Sequence, residues 1–204
     1  MAKELSRYGI DIAAIAEVRF SDEDQLTEVG AGYTFFWKGR PAGERRIGGV
    51  GFAIRTELIT HVEQTHGVSD RIMYLRLPLP GDRFMTVISV YAPTLGSDEG
   101  AILAFYQCLR SVLTVILEAD KILLLGDFNA RVGRDHETWS ALGKYGLGKM
   151  NANGLHLLQL CTEFGLVICN TFSHQKPAHK ATWTHPRSKH GHILDYVITR
   201  KRDL

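Results

Sequence analysis

Few of the residues that mark a secreted or membrane-embedded protein occur in this chain. Its 204 residues hold only 3 cysteines. Cys108, Cys161 and Cys169 are odd in number, show no Cys-x-x-Cys spacing and sit among apolar neighbours. That excludes a disulfide framework and reads as reduced core thiols of an intracellular protein. No apolar run approaches the ~20 residues that span a bilayer. The opening Met1-Ala-Lys-Glu-Leu-Ser-Arg7 lacks a signal-peptide core, so no membrane partner is expected. Neither charge dominates: 24 Lys and Arg face 22 Asp and Glu, a net charge of +2. Repeats, low-complexity stretches and linkers are missing too. With 45% hydrophobic residues, one domain over residues 1–204 with a sizeable core is expected, acting as a monomer.

The charge distribution says more than its sum. Between His174 and Arg202 stand seven Lys or Arg against one acid, Asp195, together with five of the nine histidines. Such a stretch suits a phosphate backbone, and it equally suits a solvated loop. Those histidines lack paired cysteines and the tight spacing of a zinc site, which argues against zinc. Gly143-Lys-Tyr-Gly-Leu-Gly-Lys149 imitates a phosphate-binding loop, but Met150 replaces the Ser or Thr that would meet the metal and no strand precedes it.

Periodicity predicts a short helix over 2–8, then strands over 10–16, 33–38 and 49–55. Strands over 73–77 and 84–91 should pair as a hairpin around Pro-Leu-Pro-Gly-Asp. Helical spacing over 98–119 places Ala101, Ile102, Phe105, Leu109, Val112, Leu113 and Ile116 on one face. A second helix, capped by Asn151 or Asn153, follows a polar loop over 131–150. Strands over 167–170, 181–184 and 193–199 complete a mixed α/β chain, most simply sheets packed face to face with helices outside.

Chemistry concentrates where apolar strands end. Lys121-Ile-Leu-Leu-Leu-Gly-Asp-Phe-Asn-Ala-Arg131 is a strand, expected to be buried on both faces, that finishes in Asp127 and Asn129. Residues two apart on extended backbone share a face, so both should project together from a rigid sheet. Asp, Asn and Gly also simply make a turn after a strand. Glu17 closes another apolar strand, and one or two carboxylates with waters commonly hold Mg²⁺. Ser89-Val-Tyr-Ala-Pro93 delivers Tyr91 to a strand end. Asp195 falls within apolar His192–Ile198, where a buried carboxylate needs a hydrogen-bonding partner.

In order, Glu17, Ser-Val-Tyr-Ala-Pro, Gly-Asp-Phe-Asn and Ile-Leu-Asp-Tyr resemble the endonuclease/exonuclease/phosphatase (DNase I-like) superfamily. Within it the chain is most similar to the endonuclease domains of RTE-type LINE retrotransposons. Ile47-Gly-Gly-Val-Gly-Phe-Ala-Ile54, Tyr145-Gly-Leu-Gly-Lys-Met-Asn-Ala-Asn-Gly154, Cys169-Asn-Thr-Phe172 and Ala181-Thr-Trp-Thr-His-Pro186 add to the likeness. The resemblance implies a four-layer α/β sandwich and metal-dependent hydrolysis of DNA, with a nuclear location. Glu17 would bind Mg²⁺ or Mn²⁺, Tyr91 would contact the scissile phosphate, and Asp127 with Asn129 would handle the attacking water. Asp195 would steer a histidine. Asn151, Asn153, Trp183, Arg187 and Lys189 would meet the DNA, Trp183 by packing under the site, where a core role explains it equally well. The family pattern also has a first strand carrying Asn and a last strand ending in Ser-Asp-His, neither of which these residues contain, so a domain shortened at both ends is expected. Two other readings stand beside it. One is a domesticated, non-catalytic DNA- or protein-binding module; the other is a superfamily phosphatase, whose Trp-x-Gly-Asp motif is replaced here by Leu124-Leu-Gly-Asp127.

Overall fold

Alternating apolar residues and well-placed turns shape residues 1–91, the first of two units into which the chain divides, the second being 92–204. The structure, a computed structural model, describes residues 1–204 apart from the side chains of Gln64, Pro177 and Ala178. In the first unit, helix α1 (Ala2–Arg7) stops at Gly9, whose φ of +63° only glycine adopts readily. Strands β1 (Ile12–Ala16), β2 (Glu23–Glu28), β3 (Tyr33–Lys38) and β4 (Val50–Arg55) form an antiparallel sheet in the order β1-β4-β3-β2. Strands β5 (Gln64–Ser69), β6 (Ile72–Leu79) and β7 (Arg83–Tyr91) form an antiparallel meander.

The β6–β7 hairpin extends to the pair Leu79–Arg83, so both strands are longer than their apolar residues suggested. Gly81 and Asp82, at φ 76° and 53°, make the reversal. Val50 to Ile54 are buried throughout, as befits a strand covered on both sides. Ala2 and Leu5 of α1 pack with Tyr33 and Ala53, and β7 lies against β1 and β4. The sheets of this unit thus pack face to face, as expected. Strand β2, Glu-Asp-Gln-Leu-Thr-Glu, was not foreseen. It is an exposed acidic edge, and charge is one way a sheet discourages further pairing.

In the second unit the Asp98 carboxylate accepts the Ala101 N–H at 3.2 Å and opens helix α2 (Glu99–Val115). The buried stripe of α2 holds Ile102, Phe105, Leu109, Val112 and Leu113 as expected and adds Tyr106, whereas Ala101 is exposed in the first turn and Ile116 lies half-buried past the helix end. Strand β8 (Lys121–Asp127) follows, then α3 (Ala152–Glu163), β9 (Leu166–Ile168), α4 (Pro177–Lys180), β10 (Trp183–Thr184), β11 (Gly191–His192) and β12 (Asp195–Arg200). Strands β8, β12 and β9 lie side by side, all antiparallel, and β10 pairs with β11 in a short hairpin. Ile122 and Leu124 of β8 are fully buried and Leu123 and Leu125 half-buried, a milder pattern than burial on both faces. Among the described residues all three cysteines are free, and no helix is long and apolar enough to cross a membrane.

Candidate active site

Glu17 follows β1 directly and adopts φ 55°, as does Arg19 two residues on. A non-glycine residue in this region carries strain that its surroundings must offset. The surroundings are the Gly48–Gly49 turn: Val18 N–H donates to Gly49 O at 3.3 Å and Arg19 N–H to Gly48 O at 3.0 Å. A Cβ on Gly49 would lie 2.5 Å from Val18 Cγ2, so only glycine permits this approach. Thus held, Glu17 Oε1 accepts the Tyr91 hydroxyl at 2.7 Å and Oε2 accepts Arg19 Nη2 at 2.8 Å. The Arg71 guanidinium donates to Tyr91 O at 3.1 Å and lies 5.4 Å from the Tyr91 ring centroid. Sequence reasoning missed Arg19 and Arg71; only the spacing of Arg19 from Glu17 offered a signal.

The Tyr91 hydrogen bond, then the Arg19 hydrogen bond, hold Glu17 below the ordinary carboxylate value; burial opposes them less strongly, and the Arg19 charge adds a last, smaller lowering. An apolar cavity of about 510 Å³, lined by Ile15, Phe20, Leu26, Phe35 and Trp37, borders the carboxylate. A carboxylate with a depressed pKa in the folded state stabilises the fold above its unfolded value of 4.5, and that contribution disappears as pH falls through the folded value. Tyr91→Phe removes the largest cause, so the Glu17 titration midpoint should move up toward 4.5. Side-chain ¹³C NMR measures it; an unmoved midpoint would mean that Tyr91 does not hold Glu17.

In the second unit Asp127 ends β8, Phe128 is fully buried, and Asn129 returns outward at φ 46°. Asp127 Oδ1 accepts the Asn129 N–H at 2.7 Å, the hydrogen bond of an Asx turn. The turn reading is therefore realised: Asn129 lies past the end of β8 in the turn, not on the extended strand expected to carry it beside Asp127. Ala92 N–H donates to Asp127 O at 2.8 Å, and Asn129 Nδ2 returns to Ala92 O at 2.9 Å.

Asp195 opens β12 as the direct cross-strand partner of Asp127. Phe128 N–H donates to Leu194 O, which makes the two acids a non-hydrogen-bonded pair, the closer kind at about 4.5 Å between Cα atoms. Asp195 is exposed rather than buried, because alternation along β12 turns Tyr196 and Ile198 inward and Asp195 and Val197 outward. The Thr182 hydroxyl accepts both the Leu194 and Asp195 N–H groups.

Asn151 and Asn153 face inward. Asn151 Oδ1 caps α3 through Gly154 N–H at 2.8 Å and accepts Arg131 N–H at 2.9 Å; Asn153 is 1% exposed. Trp183, 42% exposed, stands outside the core and stacks on His192 at 5.9 Å between ring centroids. Burial, then the charges of Arg131, His190 and His185, lower the His192 pKa. Arg187 and Lys189 are exposed on the same β10–β11 hairpin, and Lys189 has φ 57°. Each unit therefore carries its own cluster: Glu17 with Tyr91 in the first, Asp127 with Asn129 and Asp195 in the second. Among the described residues no three His, Cys, Asp or Glu gather as metal ligands.

The sequence model of the endonuclease/exonuclease/phosphatase family matches residues 1–204. Craniofacial development protein 2 of Bos taurus is 31% identical over 201 residues, covering 98% of this chain and 33% of that protein. The protein of the same name from Tragulus javanicus is also 31% identical over 201 residues, with 98% and 34% covered. The chain thus spans about a third of the length of the curated relatives it matches. Among solved structures, an AP endonuclease from Archaeoglobus fulgidus superposes with a TM-score of 0.66 at 14% identity, covering 99% of this chain and 80% of that one. The endonuclease domain of TRAS1, a telomere-specific non-LTR retrotransposon, superposes with a TM-score of 0.63 at 16% identity, covering 98% and 78%. These likenesses establish the DNase I-like fold, and with the match along its whole length the chain belongs to the endonuclease/exonuclease/phosphatase family.

Proposed function

We propose that this chain hydrolyses DNA phosphodiesters as a metal-dependent endonuclease of retrotransposon type. The observation that carries the reading is the Tyr91–Glu17 hydrogen bond of 2.7 Å, joining strand ends 74 residues apart in sequence around an acid held ionised. An ionised, half-exposed carboxylate fits Mg²⁺ or Mn²⁺, which keeps most of its waters and needs few protein oxygens. Glu17 would hold that ion, which when bound neutralises charge on the phosphoryl oxygens. Tyr91, which gives its one hydroxyl proton to Glu17 Oε1, would release that bond to donate to the scissile phosphate. Asp127 positions or deprotonates the attacking water, its orientation set by the Asn129 N–H, and the Asn129 amide helps to orient that water. Asp195 would add a second carboxylate directly across the strand pair from Asp127.

Trp183, Arg187 and Lys189 are exposed together on one hairpin and grip the DNA backbone, giving affinity without sequence choice. The same hairpin favours the second reading, a binding module without chemistry, because cationic and aromatic contacts need neither metal nor Asp127. Supercoiled plasmid separates the two. Nicking that requires Mg²⁺ and stops with EDTA is expected. Salt-dependent binding without nicking under any divalent ion would overturn hydrolysis in favour of the module.

A further inference from the structure

We propose that Asn153 is the positioning residue of the Asp127–Asn129 turn, a role that rests on the nuclease reading for its catalytic consequence and on hydrogen bonds alone for its structural one. Its Nδ2 donates to Pro93 O at 3.0 Å and to Asn129 O at 3.1 Å, joining three segments that are distant in sequence. These bonds complete a closed circuit. Ala92 N–H holds Asp127 O, Asn129 N–H holds Asp127 Oδ1, Asn129 Nδ2 holds Ala92 O, and Asn153 Nδ2 fastens Pro93 O and Asn129 O. The Asp127 carboxylate is aimed by a residue in a left-handed conformation, and Asn153 holds the far side of that residue.

Three observations make Asn153 a built part rather than a passing contact. It is 1% exposed, so its amide is committed to the protein and not to water. Its orientation is forced: Oδ1 has no partner among the described residues, and a flipped amide would set that oxygen against two carbonyls. Its backbone is clamped as well. Tyr106 of α2 donates its hydroxyl to Asn153 O at 3.2 Å, and a Cβ on Gly154 would meet Arg131 O at 1.9 Å, so the start of α3 is seated directly on the turn.

The experiment combines amide hydrogen exchange with plasmid nicking on Asn153→Ala and Asn153→Asp, neither of which can donate as the amide does at neutral pH. In folded variants the Asn129 and Ala92 amides should lose about tenfold in protection while those of β3 and β4 stay unchanged. Nicking kcat per folded molecule should fall about 10²-fold with KM held within twofold, since misplacing a reacting group affects the chemical step. A merely structural role would lower the folded fraction and leave kcat per folded molecule intact, which would overturn the proposal. So would wild-type protection at Asn129 and Ala92 in either variant. Should both variants fail to fold, the wild-type Asn153 side-chain NH₂ decides: slow exchange upholds its commitment and rapid exchange refutes it. A wild-type chain that never nicks sinks the nuclease reading, and the exchange measurements still decide the positioning role.

Discussion

Asp127→Asn should reduce Mg²⁺-dependent nicking by about 10²–10⁴-fold, the usual contribution of a group that moves or holds a proton in the transition state. Folding should survive. The replacement keeps an oxygen able to accept the Asn129 N–H, now at 2.7 Å, so the turn persists. Stability should change by no more than about 1 kcal/mol, as for other substitutions that preserve their hydrogen bond. Single-turnover nicking with a parallel melting curve measures both. A variant that nicks within threefold of wild type would remove Asp127 from the chemistry. Lost nicking accompanied by a lost melting transition would make its role structural.

Phe128→Ala is expected to destabilise the protein by about 3–5 kcal/mol, the range for removing a buried aromatic ring. Phe128 is fully buried between two outward polar residues, 6.1 Å from the Tyr196 ring centroid. Its burial anchors the backbone between Asp127 and Asn129, so stability and the Asx turn depend on one ring. Against a total of about 5–15 kcal/mol the loss is large enough to populate the unfolded state at moderate urea. Phe128→Leu should cost about 1.5 kcal/mol or less, because volume is nearly kept. Urea unfolding checks the pair; equal midpoints for Ala and wild type would show that the ring fills no essential space.

How much of this was legible in the sequence follows the range of the forces involved. Strand ends at Glu17, Tyr91 and Asp127 were readable because each closes an apolar run that must be buried. The turn at Asp127–Asn129 was readable because Asp, Asn and Gly close a buried strand, but the period of extended backbone does not describe it, since Asn129 is left-handed at φ 46°. Strand β2 was hidden, since Glu-Asp-Gln-Leu-Thr-Glu has no apolar alternation and is held by its partner β3 instead. The exposure of Asp195 was missed because the run Ile193–Leu194 precedes it, while the phase of β12 is fixed by Tyr196, whose buried hydroxyl donates to Ala130 O and Ile193 O. Asn153 was expected to meet DNA. Its partners Pro93 and Asn129 lie 60 and 24 residues away, and no local pattern reveals such a bond.

That arrangement also bears on how the molecule ages. Asn153 is followed by Gly154, and an unhindered Asn-Gly pair is where proteins deamidate most readily: the next main-chain nitrogen attacks the side-chain carbonyl, ammonia departs, and water opens the ring to aspartate or isoaspartate. In the native molecule the Gly154 nitrogen is occupied, its N–H bound to Asn151 Oδ1 at 2.8 Å inside a helical turn. Unfolding frees it. Each excursion into the denatured state therefore risks a permanent negative charge in place of both donors, and the chain that returns has lost the means to re-form its own clasp.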